Sequence, residues 1–72
     1  MPPVPVLSAQ QAVAAFEHHG WQVARTGNHI IMVKDRHSAS LSIPNHRQIA
    51  RGTPRSLIRS AGLTIEEFTR SL

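Results

Sequence analysis

His29 is the residue of this chain whose type and position best suit chemistry. It follows Gly27 and Asn28, which are typical of a tight hairpin turn, and it precedes the apolar run Ile30–Val33, which predicts a strand. An imidazole has a pKa near 6.5, so it takes up and releases a proton close to neutral pH. His29 is therefore a candidate general acid or base. The alternative is that it only opens the strand, hydrogen-bonded to the turn.

Such a group suits the cleavage of RNA by its own 2′-hydroxyl. That reaction needs a base to remove the proton of the hydroxyl, or an acid to protonate the departing 5′-oxygen, and this route requires no metal ion. His46 is a second candidate, because it follows the third predicted strand. If the second and third strands form a simple antiparallel hairpin, His29 and His46 share one end of the sheet. His46 would then position RNA or act as a second proton donor; otherwise it is a loop residue.

The other histidines are expected to have no catalytic role. His18 and His19 end the first predicted helix, where a cation favours the helix dipole, and we interpret them as caps or surface residues. Because they are adjacent in sequence, they do not share a helix face and do not predict a two-histidine metal site. His37 falls in a predicted turn, where we expect it to be solvated.

The charge of the chain indicates its partner. Eight Lys and Arg residues face four Asp and Glu residues, for a formal net charge of +4, and the pI is near 11.6. All but one of the cations are arginine, whose planar guanidinium suits phosphate better than lysine does. This balance favours nucleic acid or another polyanion as a partner, although charge also serves solubility.

Three arginines, Arg51, Arg55 and Arg59, are spaced by four. The last two share one face of a predicted second helix, for which Thr53 is expected to be the N-cap and Pro54 the first helical residue. The unpaired backbone N–H groups at this end add positive charge. The arginines therefore predict a phosphate track, a solvated helix face, or a surface for an acidic protein.

Several classes of function find no support in the sequence. The chain has no cysteine, no HExxH, no P-loop and no dinucleotide glycine fingerprint, and its four carboxylates are scattered. We therefore expect no metal site and no cofactor, and a two-metal nuclease is poorly supported. The aromatic residues Phe16, Trp21 and Phe68 look like core, so no platform for base stacking is predicted.

No apolar run approaches the length of about 20 residues that spans a bilayer. Residues 1–7 carry three prolines and no basic segment, which predicts an extended arm and not a signal peptide. We accordingly expect no membrane partner and a cytoplasmic protein, with one domain over residues 8–72.

The elements predicted within that domain follow the order αβββαα. Helix one covers residues 8–19, with a capping box of Ser8 and Gln11 and an end at Gly20. The strands cover residues 21–25, 29–34 and 39–43. We expect Trp21 and Val23 to point inward, a central second strand, and alternation of the third strand that places Ala39, Leu41 and Ile43 on one face.

Helix two runs to Gly62 and buries Leu57, Ile58 and Ala61, and a last short helix starts at a capping box of Thr64 and Glu67. The fold class is therefore α+β, with a three-stranded antiparallel sheet packed on helices and a short C-terminal helix.

Several motifs in this order resemble one family, from Ser8 to Phe68. Gly20-Trp21 follows helix one, Gly27-Asn28-His29 stands where the family has Gly-Ser/Thr-His, and Pro44-Asn45-His46 is similar to its Pro-x-His after the third strand. The segments 52–59 and 61–68 resemble its C-terminal helix and closing segment. The chain thus resembles the HicA toxins, the small mRNA interferases of HicAB toxin–antitoxin pairs.

The resemblance implies a fold like that of a double-stranded-RNA-binding domain, α-β-β-β-α, and a metal-independent endoribonuclease that cleaves mRNA. It implies His29 as the catalytic residue and a HicB-type antitoxin that covers the active site. Asn28 departs from the usual Ser or Thr. If the chain is such an endoribonuclease, the residues expected to contact RNA are Gly27, Asn28, Lys34, His46, Arg47, Arg51, Arg55 and Arg59.

Two other functions stay open at this point. The chain would be a non-catalytic RNA-binding module of the double-stranded-RNA type if it binds RNA in a salt-sensitive way without cutting it. It would be a protein-interaction module if its arginine face meets only an acidic partner.

Overall fold

The computed structural model describes residues 6–49 and 52–72. Its elements are α1 (Ala9–Glu17), β1 (Gln22–Thr26), β2 (His29–Val33), β3 (Leu41–Pro44), α2 (Gly52–Ser60) and α3 (Ile65–Arg70). The strands form one antiparallel sheet in the order β1-β2-β3. The α+β class, the α-β-β-β-α order, the sheet packed on helices and the short C-terminal helix are confirmed.

Local side-chain bonds set the ends of α1. The Ser8 hydroxyl accepts from the Gln11 N–H at 3.1 Å, and the Ser8 N–H donates to the Gln11 side chain at 2.9 Å. At the other end, Gly20 has a φ of 89°, and the Trp21 N–H donates to the Phe16 carbonyl at 3.2 Å. Glycine adopts this left-handed backbone conformation more readily than other residues, which explains why the helix stops here as predicted.

Helix α2 begins earlier than the sequence predicts. Its first residue is Gly52, so Thr53 lies inside the helix and is not its N-cap. Pro54 is still within the first turn, where a backbone N–H has no intrahelical partner and its loss costs nothing. The helix therefore tolerates the proline at its third position. It ends at Ser60, just before Gly62, whose φ of 76° prevents the helix from continuing, as predicted.

Helix α3 begins at the predicted capping box. The Thr64 N–H donates to the Glu67 carboxylate at 2.9 Å, and the Thr64 hydroxyl accepts from the Glu67 N–H at 3.0 Å. The backbone N–H of Thr64, followed by its hydroxyl, holds the pKa of the Glu67 carboxyl below its ordinary value.

A pH-dependent stability follows from this box. Because the folded pKa of Glu67 is the lower one, its charge stabilises the fold above the unfolded pKa, and this contribution is lost as pH falls through the folded pKa. We expect Glu67→Gln to be less stable than wild type at neutral pH and equally stable in acid. Urea unfolding of both proteins from neutral to acidic pH measures this. A difference that persists unchanged in acid would contradict it.

The register of β2 and β3 sorts their side chains between two faces. Ile30 pairs with Ile43 and Met32 with Leu41, and all four are buried. The alternate pairs, His29 with Pro44 and Ile31 with Ser42, point to the opposite face. We call that second surface the open face. The predicted central position of β2 is confirmed, and its other-face residues are half-buried or exposed.

The bounds of these strands differ slightly from the predicted ones. Lys34 follows β2, and Ala39 and Ser40 are exposed and precede β3. Pro44 is the last residue of β3, and proline is tolerated there because β3 is an edge strand.

Strand β1 corrects one expectation. Trp21 is buried as predicted, but Val23 is 41% exposed and every residue of β1 is exposed. The pairing with β2 shifts between Val23 and Arg25, so that Ala24 is an extra residue on the β1 side. Val23 pairs with the buried Met32 and so lies on the core side of the sheet, but β1 is an edge strand and the Val23 side chain stays exposed there.

The turn before β2 is also built differently from the expectation. Neither Gly27 nor Asn28 has a positive φ; among the described residues, that conformation occurs at Gly20, Gly62 and Arg36. Arg36 lies in the turn between β2 and β3, with a φ of 65°. The predicted hairpin turns exist, but the left-handed residue falls in the second one.

One hydrophobic core joins the helices to the sheet. The Phe16 and Phe68 rings, both fully buried, lie 4.9 Å apart at 51°, which joins α1 to α3. Leu7 is buried too and pairs with Ile49.

Of the predicted proline arm, residues 1–5 lie outside the described residues. No helix in the described part of the chain is long and apolar enough to cross a membrane.

Candidate active site

His29 is exposed on the open face, at the first position of β2. It pairs with Pro44, the last residue of β3. The helices described in the structure pack against the other face and leave the imidazole uncovered. This position leaves the ring accessible to a large substrate, while its backbone is held in the central strand.

The turn before His29 is braced from two sides. The Gly27 N–H donates to the His29 carbonyl at 3.1 Å. From beyond β3, the Asn45 N–H donates to the Asn28 carbonyl at 3.0 Å, and the Asn45 Nδ2 donates to the Gly27 carbonyl at 3.0 Å. Asn45 was not among the predicted site residues. Its position directly after the third predicted strand was the available signal, since the end of that strand pairs with the start of β2 beside the turn.

Removal of the Asn45 side chain tests this brace. We expect Asn45→Ala to cost about 1 kcal/mol of stability, the usual value of one hydrogen bond. The turn should then open more often, which amide hydrogen exchange at Gly27 and at position 45 measures by NMR, because these two N–H groups donate to the His29 and Asn28 carbonyls. Unchanged exchange at these two amides, with changes elsewhere, would contradict the bracing role.

A shallow depression of about 280 Å³ surrounds His29 on the open face. Besides His29, it is lined by Arg25, Gly27, Asn28 and Ile31. None of the lining residues carries a carboxylate, so the depression is positively charged at neutral pH. Arg25 was missed by the sequence prediction, although its position four residues before His29, across a hairpin turn, was a usable signal.

His46 and Arg47 lie at the same end of the sheet but line another depression. It measures about 300 Å³ and reaches the start of α1 at Ser8 and Ala9. The His46 carbonyl accepts from the Ala9 N–H at 3.0 Å. Asn45 lines this depression too and also bonds to the turn before His29. The β2–β3 hairpin that the prediction for His46 assumed is confirmed.

Lys34 stands at the far end of β2 from His29. At about 3.3 Å per residue, the five steps between them span roughly 16 Å. The Lys34 side chain lies over Gly20, where a Cβ would be 3.4 Å from its Cε. The structure therefore does not bring Lys34 together with His29.

Arg55 and Arg59 are exposed on one face of α2, as expected, and line a cleft of about 760 Å³ between α2 and α3. The remaining lining is mostly apolar, with one carboxylate, Glu66. This cleft shares no residue with the depression around His29. Arg51, the third member of the predicted track, lies outside the described residues.

The chain also carries the sequence pattern of a known family. Residues 9–63 match the family described as HicA toxin of bacterial toxin-antitoxin. The chain belongs to the HicA toxin family. The matched segment extends from the start of α1 past the end of α2 and includes His29. No curated protein and no solved structure matches the chain.

Membership in the HicA family makes this protein a toxin of a toxin–antitoxin system and implies a HicB-type antitoxin as its partner. Helix α3 lies beyond the matched segment, yet it supplies the buried Phe68.

Two of the remaining histidines of this HicA toxin, His19 and His37, have side-chain contacts. The His37 ring meets Trp21 edge-on at 4.8 Å, and its Nε2 lies 3.0 Å from the Ser60 carbonyl. The expectation that His37 is solvated was wrong, because the turn folds back onto the end of α2. The His19 Nε2 lies 2.7 Å from the Ser71 hydroxyl. Within residues 6–49 and 52–72, no three His, Asp or Glu residues cluster as possible metal ligands.

Proposed function

We propose that this HicA toxin is an endoribonuclease that cleaves mRNA without a metal ion, with His29 as general acid or base. One observation carries the proposal: an exposed imidazole, held beside a braced turn at the start of the central strand of an open sheet face, inside a positively charged depression. Histidine is the side chain best suited to proton transfer at neutral pH. The surrounding positive charge attracts the phosphate on which the reaction occurs.

The reaction begins with the 2′-hydroxyl next to the cleaved bond. Its oxygen forms a bond to phosphorus while the bond from phosphorus to the 5′-oxygen breaks. As a base, His29 takes the proton from the 2′-hydroxyl; as an acid, its protonated ring delivers one to the 5′-oxygen. In either case the other proton is exchanged with water or with His46. The products are a 2′,3′-cyclic phosphate and a 5′-hydroxyl.

The other predicted contacts divide by their distance from this step. Gly27 and Asn28 line the same depression as His29 and would contact the nucleotide at the cleaved bond. His46 and Arg47 would hold the neighbouring part of the strand, at the same end of the sheet. Lys34, Arg55 and Arg59 lie further away and would bind flanking phosphates, which adds salt-sensitive affinity. Arg51, which lies outside the described residues, stays a proposed RNA contact by its charge.

The antitoxin would act by covering His29. A HicB-type partner that occupies the open face would exclude RNA from the depression, because the imidazole is exposed on that face. Both the cleavage and its inhibition would take place in the cytoplasm, where mRNA is translated.

Cleavage of RNA by the purified toxin in EDTA tests the proposed function. We expect fragments that end in a 2′,3′-cyclic phosphate and begin with a 5′-hydroxyl, and their loss when the antitoxin is added. Salt-sensitive binding without fragments would instead make the protein a binding module, and would direct attention to Asn28, where the family has Ser or Thr. No RNA affinity at low salt would leave a protein-interaction module.

A further inference from the structure

We propose that Arg25 is a further residue of the reaction, whose guanidinium binds the non-bridging oxygens of the phosphate that is cleaved beside His29. The inference rests on the proposed endoribonuclease function. It assigns a role to a residue of the edge strand β1, which faces His29 across the hairpin.

The register places Arg25 diagonally opposite His29. Arg25 pairs with Ile31, and Ile31 and His29 are two residues apart on the same face of β2. Diagonal neighbours of this kind are about 7–8 Å apart, and their Cβ atoms are somewhat closer. A phosphate group fits between two such side chains, because both are long enough to reach it. The two residues accordingly line one depression.

The bulge in β1 is what brings Arg25 to this face. Without it, the pairs Gln22–Val33 and Val23–Met32 would continue, and Arg25 would pair with the buried Ile30 on the core face. The extra residue shifts Arg25 by one position, to the open face. Bulges commonly re-aim a side chain next to an active site, and this one turns a charge out of the core toward His29.

The guanidinium is available for an anion. Within the described ranges, the recorded ion pair joins Arg70 to Glu66, and the lining of the His29 depression holds no carboxylate. Arginine presents two parallel N–H groups that match two phosphate oxygens. As the 2′-oxygen attacks, negative charge grows on those oxygens, so a positioned fork stabilises the transition state more than the bound RNA.

The test compares Arg25→Gln and Arg25→Lys with Arg36→Gln. The control makes the same charge change in the turn at the far end of β2. Two quantities are measured: kcat and KM for RNA cleavage in EDTA, and the salt dependence of binding to an oligonucleotide with a 2′-deoxy group at the cleavage position. Circular dichroism melts establish that each variant folds.

We expect Arg25→Gln to lower kcat by about 10²-fold, the usual effect of removing one positioned donor, with a smaller effect on KM. Arg25→Lys should be intermediate, because it keeps the charge but loses the fork. The log–log salt slope should fall by about 0.7 for the lost phosphate contact. Arg36→Gln should cleave at about the wild-type rate.

Two results would overturn the inference. One is an Arg25→Gln protein as active as Arg36→Gln, even if its salt slope falls, since Arg25 would then bind a flanking phosphate. The other concerns binding and applies even if the wild-type protein does not cleave RNA, a result that would reject the proposed function separately. In that case, an Arg25→Gln protein with the affinity and salt slope of wild type would reject the contact between Arg25 and phosphate.

Discussion

Replacing His29 by alanine is expected to lower the rate of RNA cleavage by about 10²- to 10⁴-fold, the range that a general acid or base contributes. Because the imidazole is exposed on the open face, its removal leaves no cavity in the core. The variant should therefore keep the wild-type melting temperature. Single-turnover cleavage in EDTA measures the loss, and growth on expression in bacteria should recover in parallel.

The chain offers a matched control for this experiment in His18→Ala. His18 is also an exposed histidine, but it lies at the end of α1, away from the open face. The His18→Ala protein should cleave RNA as wild type does and still arrest growth. The His29→Ala protein should still bind the antitoxin, since a single exposed ring is a small part of an interface. Cleavage by His29→Ala at the wild-type rate would remove the imidazole from the mechanism.

The largest expected effect on stability comes from Phe68→Ala. Phe68 is fully buried in α3, and its ring contacts that of Phe16 in α1. Truncation of a buried phenylalanine costs about 3–5 kcal/mol. The free energy of unfolding of native proteins is usually about 5–15 kcal/mol, and small domains lie at or below the low end of this range. We therefore expect the variant to be largely unfolded at 37 °C, which circular dichroism and urea titration would measure.

Phe68→Leu provides the comparison for this variant. Leucine keeps apolar volume at the site, so it should recover most of the lost stability. A Phe68→Ala protein with a wild-type urea midpoint would contradict the role of α3 in the core. The result matters for the site as well, because α3 lies outside residues 9–63, which carry the family pattern. If Phe68→Ala unfolds the protein as expected, the depression around His29 depends on a helix that the family match does not include.

Several features of the fold were predictable because their causes lie close together in the sequence. The Ser8–Gln11 and Thr64–Glu67 capping boxes join residues three apart, and each helix-ending glycine acts on its own turn. The antiparallel β2–β3 hairpin followed from two apolar segments and a short polar connection. The importance of His29 was also visible, since it stands between a turn signal and a strand.

The surroundings of several predicted residues depended on contacts between parts of the chain that are distant in sequence. His37 was predicted to be solvated, but its partner Ser60 is 23 residues away and belongs to α2. Lys34 and the arginines of α2 have the right charge, yet the fold places them away from His29. Composition predicts that cations are present, and only the packing of the elements determines which of them share a surface.

The chain by itself determined the order of the helices and strands, their local caps and the basic character of the protein. The tertiary structure decided which face His29 occupies, because β2 is apolar on both sides and only its pairing with β3 selects the buried one. The bulge in β1 likewise decided that Arg25 stands beside His29. A shift of one residue in strand pairing reverses the face of every side chain, and that register is set by the packing of the core.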